Sequence, residues 1–100
     1  MDRAIRLWVD DQRPAPAGWL HARTYAEAVR SIRDFGPELA EVSLDHDLNP
    51  AHSSGDYTDR RTGYDVLAFL LHEGLRPVIH FHTMNPEGLR RMMDLLEFSS

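Results

Sequence analysis

The apolar runs of this chain stop on acids, and that limits what it can fold into. Residues 4–9, AIRLWV, mix β-branched and aromatic side chains as a buried strand does, then end at Asp10-Asp11. Residues 41–46 run from Glu41 through Val42 and Leu44, which share one side, into Asp45, His46 and Asp47. A third run, PVIHFHT, ends on His82 and Thr83. Carboxylates and imidazoles are costly where a core has excluded water, so the fold must bring these strand ends to a solvent-filled edge.

Helical segments separate the runs. WLHAR reads as a short second strand. Thr24 then opens a helix through a T-x-x-E capping box with Glu27, followed by Tyr25, Ala28, Val29 and Ile32 at helical spacing, and Gly36-Pro37 ends it. Thr62 caps a second helix carrying Val66, Leu67, Leu70 and Leu71, with Gly74 placed as its C-terminal glycine. Asn85-Pro86 starts a third, with an apolar stripe of Leu89, Met92, Met93 and Leu96. The segment NPAHSSGDYTDRR is too polar and irregular for an element and reads as a long loop beside the acids.

The order β, β, α, β, α, β, α predicts a mostly parallel α/β sheet. The proline-rich link between the first two strands is short for a parallel crossover. An antiparallel second strand is the alternative; an extended loop making the crossover is preferred. With sheet order 2-1-3-4, strand order reverses between strands one and three, where open parallel sheets bind ligands. Asp10, Asp11, Asp45, His46, Asp47, His82 and Thr83 would then share one crevice.

The chain has 100 residues, a single domain over 1–100 with no repeat or linker. Net charge is −5, which argues against a broad nucleic-acid surface but allows a small phosphorylated ligand held locally. No apolar run approaches the ~20 residues that span a bilayer. Charge interrupts the N-terminal apolar stretch, and there is no cysteine, so a cytoplasmic location is expected. All 11 basic residues are arginine.

Asp10-Asp11 after strand one, an acid after strand three, T-G-Y-D-V-L and Thr83 resemble the receiver domains of two-component signalling. Taken together, W-V-D-D-Q-R-P-A-P, S-L-D-H-D-L, T-G-Y-D-V-L and H-T-M-N-P-E-G more closely resemble the cyclic-phosphate-processing receiver-like domain, from about Leu7 to Met93. The resemblance implies a flavodoxin-like three-layer sandwich without the usual fifth strand and helix. It also implies action on cyclic phosphates of nucleotides or RNA ends. Phosphoacceptor receivers use a lysine after a fifth strand, and this chain has no lysine, so phospho-relay is disfavoured.

Each candidate has a role and a plainer alternative. Asp10 or Asp11, with Asp45 or Asp47, suits Mg²⁺ or Mn²⁺ through oxygen ligands; alternatively the pair caps a turn before Arg13. His46 and His82 are the acid–base candidates, because imidazole ordinarily titrates near neutrality, with Asp45 and Asp47 orienting them. Strand alternation sets His46 opposite Asp45 and Asp47, so all three share a site only if the chain turns at Asp47, as Asn49-Pro50 would allow. Asp47 alternatively caps that turn. Thr83 and the helix start at Asn85 offer an anion site that is also a helix cap. Arg60 and Arg61 are candidate phosphate clamps or solvated loop residues.

His80 is expected to be a hydrogen-bonded core histidine, and His21, His52 and His72 surface or loop residues. The leading expectation is a phosphoesterase-like enzyme. The alternatives are a module that binds a cyclic nucleotide or docks a partner, and a receiver-like interaction domain. An uncovered fourth strand would favour a homodimer.

Overall fold

Three capping side chains set the helices of the computed structural model, which describes residues 5–48 and 60–99. Thr24 Oγ1 accepts the Glu27 N–H at 3.1 Å and begins α1 (Tyr25–Phe35); the return bond from Glu27 goes to the Arg23 N–H. Thr62 begins α2 (Gly63–His72) with a full capping box, its N–H held by Asp65 at 2.8 Å. Asn85 Oδ1 accepts the Gly88 N–H at 3.0 Å and begins α3 (Pro86–Phe98), with Pro86 at the first position. Gly74, at φ 77°, supplies the left-handed residue that follows α2.

The strands β1 (Ile5–Val9), β2 (Leu20–Ala22), β3 (Leu39–Leu44) and β4 (Val78–Phe81) form one sheet of order β2-β1-β3-β4, every pair parallel. The loop of residues 10–19 makes the β1–β2 crossover, so β2 is parallel as preferred. Extended, Pro-rich backbone gains more length per residue than a helix, which is how so short a link suffices.

All three helices lie over one face. Leu7, Val9, Val42 and Leu44 form a single core with Ala28 and Ile32 of α1, Val66, Leu67 and Leu70 of α2, and Met92 of α3. Right-handed crossovers that step the same way across a sheet leave their helices on the same side. The other face carries Arg6, Trp8, Glu41, Ser43, His80 and His82, and no helix among the described residues covers it. Of the three layers expected, two are built from regular elements. On the second face Trp19, from the loop, packs edge-on to Trp8 at 6.0 Å and to His80 at 6.4 Å.

This corrects the reading of His80. Its side chain is 48% exposed and hydrogen-bonds Glu41 at 2.8 Å, which also pairs with Arg6. It sits on the helix-free face, not in the core. No described helix is long and apolar enough to cross a membrane.

Candidate active site

The sheet's hydrogen bonds run one residue past the ends of the strands and align the polar groups. Asp10 N–H donates to Ala22 O at 3.0 Å, Asp45 N–H to Val9 O at 2.9 Å, and His82 N–H to Leu44 O at 3.0 Å. Asp10, Asp45 and His82 therefore stand in one row along the carboxyl edge. Asp11 follows Asp10 and Thr83 follows His82. The N–H of Gly63 reaches His46 O at 2.8 Å and ties the start of α2 to the end of β3.

Asp10 is 1% exposed, and both of its oxygens accept hydrogen bonds while Oδ2 keeps capacity for a further partner. Its Oδ1 accepts the N–H groups of Gln12 and Arg13 at 2.8 and 2.9 Å, which folds the loop into a turn; its Oδ2 meets His82 Nε2 at 3.0 Å. The expected plain role for Asp10, capping a turn before Arg13, is therefore present together with the carboxylate cluster. Carboxylate oxygens of Asp10, Asp11 and Asp45 lie within 4.8 Å of one another. An all-oxygen donor set of this charge fits Mg²⁺ or Mn²⁺, which prefer hard ligands. Asp47 lies outside that trio.

Burial holds the Asp45 carboxyl above the ordinary carboxylate range, against the hydrogen bond from Thr83 and with the Asp10 charge adding to the rise. Thr83 is engaged on two sides, since its Oγ1 also accepts the Asn85 N–H at 3.1 Å. The cleft beside these groups holds about 400 Å³ and is lined by Asp10, Asp11, Gln12, Arg13, Asp45, Asp47 and Met84.

The two histidines part company. His82 Nε2 faces Asp10, its Nδ1 meets Ser43 Oγ at 2.8 Å, and Trp8 stacks on its ring at 3.8 Å and 6°. Burial pushes the His82 imidazole below its ordinary pKa, against the Asp10 hydrogen bond that favours charge. When the ring is neutral, Nε2–H donates to the acceptor-only carboxylate and Nδ1 accepts a hydrogen bond from the Ser43 hydroxyl. His46 lies on the helix side, against Gly88 of α3. Its Nδ1 sits 2.9 Å from Asp47 Oδ1, which also accepts from Asn85 Nδ2 at 3.1 Å. That hydrogen bond from His46 holds the Asp47 carboxyl below its usual range, although Asp47 is 67% exposed. No hydrogen bond or ring contact joins His46 to His82 among the described residues, and neither lines the cleft. This is the alternation expected of residues 45–47.

Arg60 is exposed, and Arg61 stacks on Tyr25 at 4.1 Å in a groove between α1 and α2; neither lines the acidic cleft. Asn49-Pro50 and His52 lie outside the described residues, and His72 is exposed as expected. His21 is corrected: it lies in β2, half-buried, with Nε2 2.7 Å from Asp10 O.

Sequence reasoning missed Arg13, Ser43 and Trp8. Arg13 Nη1 donates to His82 O at 2.7 Å, and its guanidinium lines the cleft. Trp8 and Ser43 stand two residues before Asp10 and Asp45, so period-2 alternation alone puts them on the same side as those acids.

No curated protein and no solved structure matches the chain significantly. A family model, the cyclic-phosphate processing receiver domain, matches residues 5–98. With the parallel 2-1-3-4 sheet and the acids at its carboxyl edge, this near-complete match means that the chain belongs to the cyclic-phosphate processing receiver domain family.

Proposed function

We propose that this chain binds a cyclic phosphate of a nucleotide or RNA end in the acidic cleft and opens the ring by hydrolysis. The observation that carries the reading is the carboxylate trio beside the Arg13 guanidinium in one cleft. Alone, the acids would repel a phosphate; a divalent ion held by them would offset that charge.

In this reading Asp10, Asp11 and Asp45 would hold Mg²⁺ or Mn²⁺, which would supply neutralisation of charge developing on the phosphate oxygens. Arg13, with 46% of its side chain exposed, contacts those oxygens from the loop side. Thr83 contributes by fixing Asp45. Water oxygen bonds to phosphorus, and the ring P–O bond breaks with its electron pair leaving on the sugar oxygen. The Asp47–His46 pair, with Asp47 in the cleft wall, takes the water proton and returns it to that oxygen. His82 acts through Asp10, because both of its ring nitrogens are already bonded.

One observation favours a binding module instead: His82, stacked on Trp8 and bonded at both ring nitrogens, is locked and does not line the cleft. The test is titration of the purified protein with 2′,3′- and 3′,5′-cyclic nucleotides, with and without Mn²⁺, followed by product analysis. Metal-dependent appearance of a linear phosphomonoester supports hydrolysis. Saturable binding with no product supports the module. No binding and no product overturns both.

A further inference from the structure

A second cleft, of about 440 Å³, opens between α1 and α2. Its lining differs in kind from the acidic cleft: Arg30, Arg33 and Arg61 against a single acid, Asp34, with the rings of Tyr25 and Phe69. In a chain of net charge −5 this is a local concentration of positive charge. Arg61 lies over the Tyr25 ring at 4.1 Å and Arg33 over the Phe69 ring at 5.5 Å. A guanidinium over a ring face is restrained there by cation–π attraction, and a restrained guanidinium loses less freedom on meeting a phosphate. Neither Arg30 nor Arg33 is ion-paired to a described residue.

The groove's position matters as much as its charge. Tyr25 is three residues past Ala22, whose carbonyl receives the Asp10 N–H, and Arg61 is two residues before Gly63, which bonds His46 O. One end of the groove is thus at the same sheet edge as the acidic cleft. From there it follows α1 through Tyr25, Val29 and Arg33, one stripe at i, i+4, i+8, for about 12 Å at 1.5 Å per residue. That exceeds the reach of a single phosphate.

We infer that this groove binds the phosphodiester backbone of a short single-stranded RNA segment, so that the preferred cyclic phosphate is one at the end of a strand. The choice of RNA rests on the proposed cyclic-phosphate reading; the anion site rests on the groove's own residues. Guanidinium planes and aromatic rings also give bases stacking surfaces without sequence selectivity.

The experiment uses a fluorescein-labelled single-stranded decaribonucleotide with a linear 3′-phosphate, read by anisotropy against the full chain at several salt concentrations. The Arg30→Ala, Arg33→Ala double variant should bind it on the order of tenfold more weakly at low salt, having lost two charge-assisted contacts. Its slope of log affinity against log salt should flatten by about 1.4, at ~0.7 per phosphate contact on a single strand. The Arg→Lys double variant should keep the slope. Cyclic mononucleotide binding and turnover should be unchanged in the alanine variant, because both positions lie outside the acidic cleft.

An alanine variant that binds the RNA like the parent, or keeps its salt slope, overturns the proposal. So does a polyglutamate peptide that displaces the RNA at equal charge concentration, which would mark a protein-docking surface. If the parent ignores cyclic mononucleotides yet loses RNA binding with the two arginines, the cyclic-phosphate reading fails and the groove stands.

Discussion

Replacing Gly63 by alanine should damage both the fold and the acidic cleft. A Cβ at this first residue of α2 would run into the carbonyl oxygen of Asp45, with the Asp45 carbonyl carbon at 2.9 Å and the His46 Cα at 3.2 Å. All three neighbours are backbone, so no side chain can rotate away; α2 or the end of β3 must move. Overpacking a tight site costs about 1–3 kcal/mol, and the upper part of that range applies where the obstacle is main chain. Gly→Ala also restricts the unfolded chain, which returns about 0.4–1 kcal/mol. The clash wins, leaving a net loss of about 2 kcal/mol, or roughly 8–16 °C in melting temperature for a domain this size.

Gly74→Ala is the comparison. It has φ 77° and nothing within 4 Å of a Cβ, so only backbone strain of about 1–2 kcal/mol opposes the same entropy gain. Thermal melts followed by circular dichroism, with urea titrations for free energy, measure both variants. Gly63→Ala should be the less stable and should also lose more Mn²⁺ affinity, because it displaces Asp45. A Gly63→Ala melt within about 2 °C of the parent would refute the close approach of α2 to β3.

Three further outcomes are expected. In chelator-containing buffer, stability should fall as pH drops through the ordinary imidazole range near ~6.5 toward the lower value of folded His82, because the unfolded chain binds that proton first. The contribution is intact above that range, and His82→Gln should flatten this part of the profile; an unchanged slope in melts from pH 8 to 5 would remove His82 as its source. Ser43→Ala should leave His82 Nδ1 buried without its partner, at a cost of about 1–3 kcal/mol by urea titration, and a neutral substitution would contradict the Ser43–His82–Asp10 chain. The edge of β4, which no described residue pairs with, and where Val78 is 58% exposed, should pair two chains, so light scattering at tens of micromolar should give twice the 11.5 kDa of one chain; a monomer mass would end that expectation.

What the sequence made legible was the edge, because acids after apolar runs are unstable anywhere else. Asp10, Asp11 and Asp45 could be placed together from strand order alone, and Thr24, Thr62 and Asn85 announced their helices through capping chemistry. The division of labour between the histidines was partly visible, since alternation separates His46 from Asp45. Which face the helices would cover was not, because it depends on how successive crossovers step across the sheet. That is why His80 was read as core, why Trp8 and Ser43 went unnoticed, and why His21 was set among surface or loop residues: their partners are 11 to 74 residues distant or lie on a neighbouring strand. The ring contact of Arg61 was hidden for a related reason, as its partner Tyr25 belongs to α1.

The central claim is ring opening at the carboxylate trio, and ³¹P NMR of 2′,3′-cyclic nucleotide incubated with the protein tests it most directly. With Mg²⁺-loaded protein, which avoids the paramagnetic broadening of Mn²⁺, the cyclic resonance should give way to that of a linear monoester. Chelator should stop the conversion, and Asp45→Asn should slow it by at least ~10²-fold. A cyclic resonance that persists unchanged beside saturating metal-loaded protein, or that converts equally fast with Asp45→Asn, would contradict the account.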